Sequence, residues 1–285
     1  MSDLLSICQK PIVSDENTSL NHIIVQLLTN DISRIILTRE NSPIGMISEK
    51  DIGLFLLRDD TELNLDDICA SEIMHKLLSV HASTDIESCA EIMLEKGIGS
   101  LGVTSDKDEL VGIVTKTDIA KYFSKKHKGE HTVGDVMTIS YISVNSDDTL
   151  KDVISKMIED KISRIFLKNK NGEPEGILTF RDLFHVALEQ GNSDSVLDNS
   201  DGVISVVFTR KGFLSESGFG KTILAKDVMT KTFESVDFEE DLAVACDAMA
   251  QNRINGVGVR IKDNLGGVLS KTDVLKAIYA DNVSK

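Results

Sequence analysis

The feature that most constrains this chain is a spacing that recurs four times. An apolar comb with teeth at i, i+3, i+4, i+7 and i+8 begins at Leu20, Ile86, Leu150 and Leu242; a motif glycine follows 25, 26, 26 and 25 residues later, at Gly45, Gly112, Gly176 and Gly267. The teeth, Leu20, Ile23, Ile24, Leu27 and Leu28 in the first copy and Leu150, Val153, Ile154, Met157 and Ile158 in the third, form the one-sided stripe of an amphipathic helix. Between comb and glycine lies a short apolar run with turn formers behind it, such as Ile35-Ile36-Leu37 before Asn41-Ser42-Pro43, which reads with the motif as a hairpin. Another short run precedes each comb. The chain is therefore expected to be α+β, four tandem β-α-β-β-α repeats of about 60 residues, each too small to bury its own sheet and so expected to pair.

Each glycine opens the same motif: Gly, two apolar residues, a hydroxyl, two variable residues and Asp. The hydroxyls are Ser48, Thr115, Thr179 and Ser270, and the acids are Asp51, Asp118, Asp182 and Asp273. A strand running into a helix places both at the helix start. Two roles fit: the hydroxyl and acid cap the first turn, or the exposed N–H groups take an anion such as phosphate while the acid accepts from a sugar diol. The two can hold together.

Composition narrows the function classes. The net charge of −15 on 285 residues, 46 acidic against 31 basic, disfavours nucleic acid and anionic lipid as partners. No apolar run approaches a bilayer span, and Met1-Ser2-Asp3-Leu4 lacks the basic start of a secretory signal, so the cytoplasm is expected. Cys8, Cys69, Cys89 and Cys246 are scattered and suggest neither disulfides nor zinc. His127 and His131 flank Gly129 in a linker and read as solvated loop, so no metal is expected. No nucleophile elbow, Walker loop or acid–base pair is present, and the chain is not expected to be an enzyme.

These repeats resemble the CBS domain, the regulatory repeat first named for cystathionine β-synthase. The Gly-to-Asp motif is that family's commonest signature, and Asp135-Val136-Met137-Thr138 and Asp227-Val228-Met229-Thr230 match its usual opening. Glu72-Ile73-Met74-His75 is a looser copy, and Cys8-Gln9-Lys10-Pro11 departs from it. The resemblance implies that consecutive repeats pair into two modules, 1–127 and 128–285, that assemble into a disc. Their repeats are expected over about 8–62, 70–125, 133–190 and 225–282, with an insert at about 191–220 that reads as a surface excursion or a partner-docking edge strand over 203–209. It also implies that clefts between paired repeats take AMP, ADP or ATP, or sometimes S-adenosylmethionine. Asp51, Asp118, Asp182 and Asp273 would then hold ribose, and Ser48, Thr115, Thr179 and Ser270 would face phosphate.

The repeats also alternate. The first and third share Ile-Ser-Arg-Ile, containing Arg34 and Arg164, and a base before the acid, Lys50 and Arg181; the second and fourth share Lys-Thr-Asp. Two kinds of cleft are expected, with Arg34 and Arg164 as candidate phosphate ligands and Lys50 and Arg181 counted with them among the ligand-binding residues. The third repeat, with the complete opening, Arg164 and Arg181, is ranked first. The leading expectation is a nucleotide-sensing regulator with a protein partner and a homodimeric assembly; the alternative is a scaffold whose caps bind nothing.

Overall fold

The computed structural model describes residues 3–58, 63, 65–184, 222–262 and 264–283. The expected insert, its strand over 203–209 and the last residues, 185–190, of the expected third repeat lie outside these residues.

The four repeats share one architecture. A short helix, α1 (Asp3–Ile7), leads into β1 (Val13–Asp15), α2 (Leu20–Thr29), β2 (Arg34–Arg39), β3 (Ser42–Ser48) and α3 (Glu49–Arg58). The second repeat comprises β4 (Ser79–His81), α4 (Ile86–Glu95), β5 (Ser100–Thr104), β6 (Leu110–Thr115) and α5 (Lys116–Lys126). After α6 (Val133–Val136) and β7 (Thr138–Ile139) come β8 (Ser143–Asn145), α7 (Leu150–Glu159), β9 (Arg164–Lys168) and β10 (Pro174–Thr179), then the helical residues 180–184, α8. A short α9 (Ala225–Val228) leads into β11 (Ser235–Asp237), α10 (Leu242–Gln251), β12 (Gly256–Ile261), β13 (Asn264–Ser270) and α11 (Lys271–Val283). In each repeat the first strand is parallel to the second, and the second and third form an antiparallel hairpin.

The combs form helices because each starts on a side chain that accepts from the first turn: Ser19, Asp85, Thr149 and Asp241 are the N-caps. The first four teeth of every comb are buried, from Leu20, Ile23, Ile24 and Leu27 to Leu242, Ala245, Cys246 and Met249. Burying an aliphatic side chain of this size stabilises by roughly 1.5–3 kcal/mol, so these stripes supply most of each repeat's adhesion.

The described residues divide into two compact units, Met1–Pro11 with Leu77–Tyr141 and Phe233–Lys285, and Ile12–Lys76 with Ile142–Thr232. These are not the contiguous halves 1–127 and 128–285. The first unit joins the second and fourth repeats, because α4, α5, α10 and α11 bury their apolar faces in one continuous core. The second unit joins the first and third, with Phe184 of the third repeat inside the core of the first.

Within each unit, lead-in segments dock on a repeat other than the one they precede. Gln9, ahead of the first repeat, pairs with Ile113 on β6 of the second; His75, ahead of the second, pairs with Met46 on β3 of the first. Thr230, ahead of the fourth repeat, pairs with Ile177 on β10 of the third, and Thr138 on β7 pairs with Val268 on β13 of the fourth. The motif glycine makes this docking possible. A Cβ on Gly176 would lie 2.6 Å from Met229 Sδ and 2.8 Å from the Thr230 carbonyl oxygen, and one on Gly45 would meet Met74 Sδ at 2.7 Å. The opening Met and the motif Gly are two sides of one contact.

That contact is graded. At Gly112 the exchanged residue is Cys8, and the backbone carbonyl of Gln9 stays 3.3 Å from a Cβ position. Gly176→Ala should therefore destabilise by about 1–3 kcal/mol, as overpacking against backbone does, and Gly112→Ala by less. Thermal unfolding of the two variants checks this; equal losses would contradict it.

Candidate functional site

All four strand-to-helix junctions are built alike. Ser48 N–H donates to Asp51 Oδ2 at 2.9 Å, Thr115 N–H to Asp118 Oδ2 at 2.9 Å, Thr179 N–H to Asp182 Oδ2 at 2.6 Å and Ser270 N–H to Asp273 Oδ2 at 2.9 Å. The hydroxyls of Thr115, Thr179 and Ser270 donate to the same oxygens at 2.6, 2.8 and 2.7 Å, and Ser48 does likewise. The hydroxyl and acid are thus caps. The Asp N–H returns to the hydroxyl at 3.4 Å in the first two copies, closing a capping box.

The capping load falls on one carboxylate oxygen, Oδ2, in every copy. Among the described residues nothing hydrogen-bonds Oδ1 of Asp51 or Asp118. Thr230 Oγ1 lies 3.4 Å from Oδ1 of Asp182, and Lys276 Nζ lies 2.8 Å from Oδ1 of Asp273. The exchanged lead-in residues stand beside these acids. His75 Nδ1 is 3.2 Å from Asp51 Oδ2, and Thr230 faces Asp182. Gln9 and Thr138 hold the equivalent strand positions in the other two copies. Reading along the sequence overlooked these four. Their signal was the register of Cys8-Gln9, Met74-His75, Met137-Thr138 and Met229-Thr230.

Arg34 and Arg164 hold one shared place. Each is the residue directly across the hairpin from the motif hydroxyl, Arg34 opposite Ser48 and Arg164 opposite Thr179. Ser100 and Gly256 take that place opposite Thr115 and Ser270. The expected alternation is thus a physical difference: a partly exposed arginine across the hairpin from the motif hydroxyl in one unit, a small residue in the other.

The two variable motif residues serve a different purpose from the one expected. Arg181 is committed to the first repeat, donating to Glu49 Oε1 at 2.6 Å, Asp31 Oδ1 at 2.6 Å and the Ile32 carbonyl at 3.2 Å. Burial works against its charge, and the Asp31 and Glu49 carboxylates more than compensate, holding its pKa above the ordinary value. The second and fourth repeats make the matching contact reciprocally: Lys116 Nζ donates to Thr272 Oγ1 at 2.9 Å and Lys271 Nζ to Thr117 Oγ1 at 2.8 Å. Lys50 is exposed. Arg181 in one unit, and Lys116 and Lys271 in the other, therefore tie alternate repeats together, which leaves the opening and Arg164 as the grounds for ranking the third site first.

Among the described residues no group of His, Cys, Asp and Glu could hold a metal ion, and no helix is long and apolar enough to cross a membrane.

The profile described as CBS domain matches residues 2–57, 70–125, 133–189 and 225–280. Protein MJ1225 from Methanocaldococcus jannaschii, considered a candidate archaeal homologue of g-AMPK, superposes with a TM-score of 0.76 at 20% identity, covering 96% of this chain and 98% of its own. An uncharacterized conserved protein from Pyrococcus horikoshii gives a TM-score of 0.62 at 16% identity over 98% of this chain and 100% of its own. In sequence, protein MK0525 from Methanopyrus kandleri is 33% identical over 105 residues, 35% of this chain and 54% of that protein. Protein MJ1404 from Methanocaldococcus jannaschii is 23% identical over 232 residues, 79% and 50% respectively. The chain spans about half the length of these sequence relatives.

Truncating Arg181 leaves two carboxylates facing each other without their cation. Its side chain is 34% exposed, so solvent relieves part of that cost: Arg181→Ala should destabilise by about 1–2 kcal/mol, and Lys50→Ala by less than about 0.5 kcal/mol, as surface changes do. Thermal melts at ordinary ionic strength check the contrast; similar losses would refute the tether.

Proposed function

Because this chain belongs to the CBS-domain family, with four copies along its length, we propose that it is a ligand-sensing regulatory protein taking an adenosine compound, AMP, ADP or ATP, at its strand-to-helix junctions. The observation that carries this reading is the use of Oδ2 alone for capping. At Asp51 and Asp118 the other oxygen can then take a ribose diol without competing with the cap, whereas at Asp182 and Asp273 a ribose would have to share Oδ1 with Thr230 and Lys276. A helix start with its dipole and a hydroxyl favours phosphate beside that ribose, and Arg34 and Arg164 add cations of matching geometry in the first and third copies.

The chain's own residues bind and orient; the chemistry would belong to a protein partner that reads the occupied state. For that readout the ligand must favour one arrangement of the protein over another, since equal affinity shifts nothing. The reading that S-adenosylmethionine is sensed instead rests on the same sugar-binding acids. A scaffold without nucleotide dependence is the contrasting proposal.

Two measurements test this. A ligand at a hundred times its dissociation constant adds about 2.7 kcal/mol to stability, so melts with AMP, ADP, ATP and S-adenosylmethionine should show an upward shift for at least one; a flat response to all four favours the scaffold. Arg164→Ala and Asp182→Ala should each weaken adenine-nucleotide binding at least about tenfold, or 1.4 kcal/mol, in calorimetry well below the melting temperature. Asp182→Ala will also lose about 1 kcal/mol of stability with its cap. Unchanged affinity in both would remove these residues from the site.

A further inference from the structure

The four junctions differ in the residue that the exchanged lead-in segment brings to them: Gln9, His75, Thr138 and Thr230. Three of these cannot change charge near neutrality. His75 can, and it is fixed in place: its N–H donates to the Met46 carbonyl and its carbonyl accepts from Met46 N–H, both at 2.9 Å. Its Nδ1 rests 3.2 Å from Asp51 Oδ2 with the side chain 41% exposed. The charged groups acting on it are Asp51 and Arg34, and Arg34 stands across the hairpin from Ser48. Of the two groups that act on it, Asp51 favours its proton and Arg34 opposes it. Beyond that pair, Glu49 on the same first turn faces Arg34 and is held with Asp31 by Arg181, so protonating His75 adds one positive charge to a helix start whose other charges stay fixed near neutrality.

We propose that His75 makes the first repeat's site proton-linked and selective for a phosphate-bearing nucleoside over the neutral nucleoside, binding the anion more tightly as the imidazole takes up its proton. This deepens the adenosine-compound reading and rests on it. The imidazolium would stand between the Asp51 carboxylate and the ligand's phosphate as a donor to both, a part that a threonine hydroxyl in the third and fourth copies can play only without charge. The hydrogen bond that His75 donates to Asp51 raises its pKa above the ordinary histidine value, against burial and the charge of Arg34. Burial pushes Asp51 up, but hydrogen bonds from His75 and Ser48 outweigh it and hold the carboxylate below its ordinary value. The pair therefore adds stability that is full between the ordinary carboxylate and histidine values and is lost as pH rises through the raised histidine value or falls through the lowered carboxylate value.

Calorimetry on the full chain with AMP and with adenosine, at about pH 6 and about pH 8, tests the proposal against His75→Thr, which installs the residue of the third and fourth copies. The wild type should contain a class of AMP sites whose affinity falls at least about threefold more from pH 6 to pH 8 than in His75→Thr. The phosphate's own ionisation is common to both proteins and cancels. Adenosine binding should be indifferent to pH in both. Should His75→Thr unfold, His75→Gln, matching Gln9, takes its place. AMP binding with the same pH dependence in wild type and variant would overturn the role of His75 and leave the adenosine reading standing. Absence of heat from both AMP and adenosine in every protein would overturn that reading and the proposal with it.

Discussion

A single carboxylate oxygen holds each junction on which this molecule is built. Oδ2 of the motif aspartate accepts both the N–H and the O–H of the residue three positions earlier, so the last strand cannot run on and must turn into a helix at a fixed angle. With that corner set, the strand before it presents its glycine to the exchanged lead-in segment, and the helix after it presents its apolar face to the core. Loss of the corner would cost more than one cap, worth about 1 kcal/mol alone, because the placement of both neighbours follows from it.

The alternation of the repeats follows from the same corner. The two residues between hydroxyl and acid sit on the first helical turn, where they meet the equivalent turn of the repeat two places away. In the unit of the second and fourth repeats the contact is symmetric, lysine to threonine in both directions. In the other unit it is asymmetric: Arg181 takes Glu49 and Asp31, and Phe180 packs where a Cβ on Gly53 would meet its ring at 2.6 Å. A symmetric contact allows equal partners; an asymmetric one fixes which repeat is which. The first repeat keeps Arg34 and gains His75, and so differs from the third in the charge it can show a ligand.

Much of this was legible from residue order. Comb helices and hairpins follow from local periodicity, which depends on neighbours a few positions apart, and the first four teeth of each comb are buried where periodicity puts them. The motif hydroxyl and acid were readable as caps for the same reason. The partner of each repeat was not. An amphipathic stripe says that a face is covered but not by what, so the shared core of the second and fourth repeats is absent from any window of sequence. Arg181 looked like a ligand because it adjoins the acid; its partners lie about 130 and 150 residues earlier. The lead-in exchange was hidden because it consists of single bridges and a two-residue strand, too short for a period, and because Cys8-Gln9 breaks the opening pattern.

The account turns on one division of labour, in which Oδ2 keeps the helix and Oδ1 takes the sugar. A crystal structure of the protein grown with saturating AMP measures this directly. The account predicts ribose hydroxyl density within hydrogen-bond distance of Oδ1 of Asp51 or Asp118, with the Ser48 and Thr115 bonds to Oδ2 unchanged. Nucleotide density away from all four aspartates, or none at saturation, would contradict it.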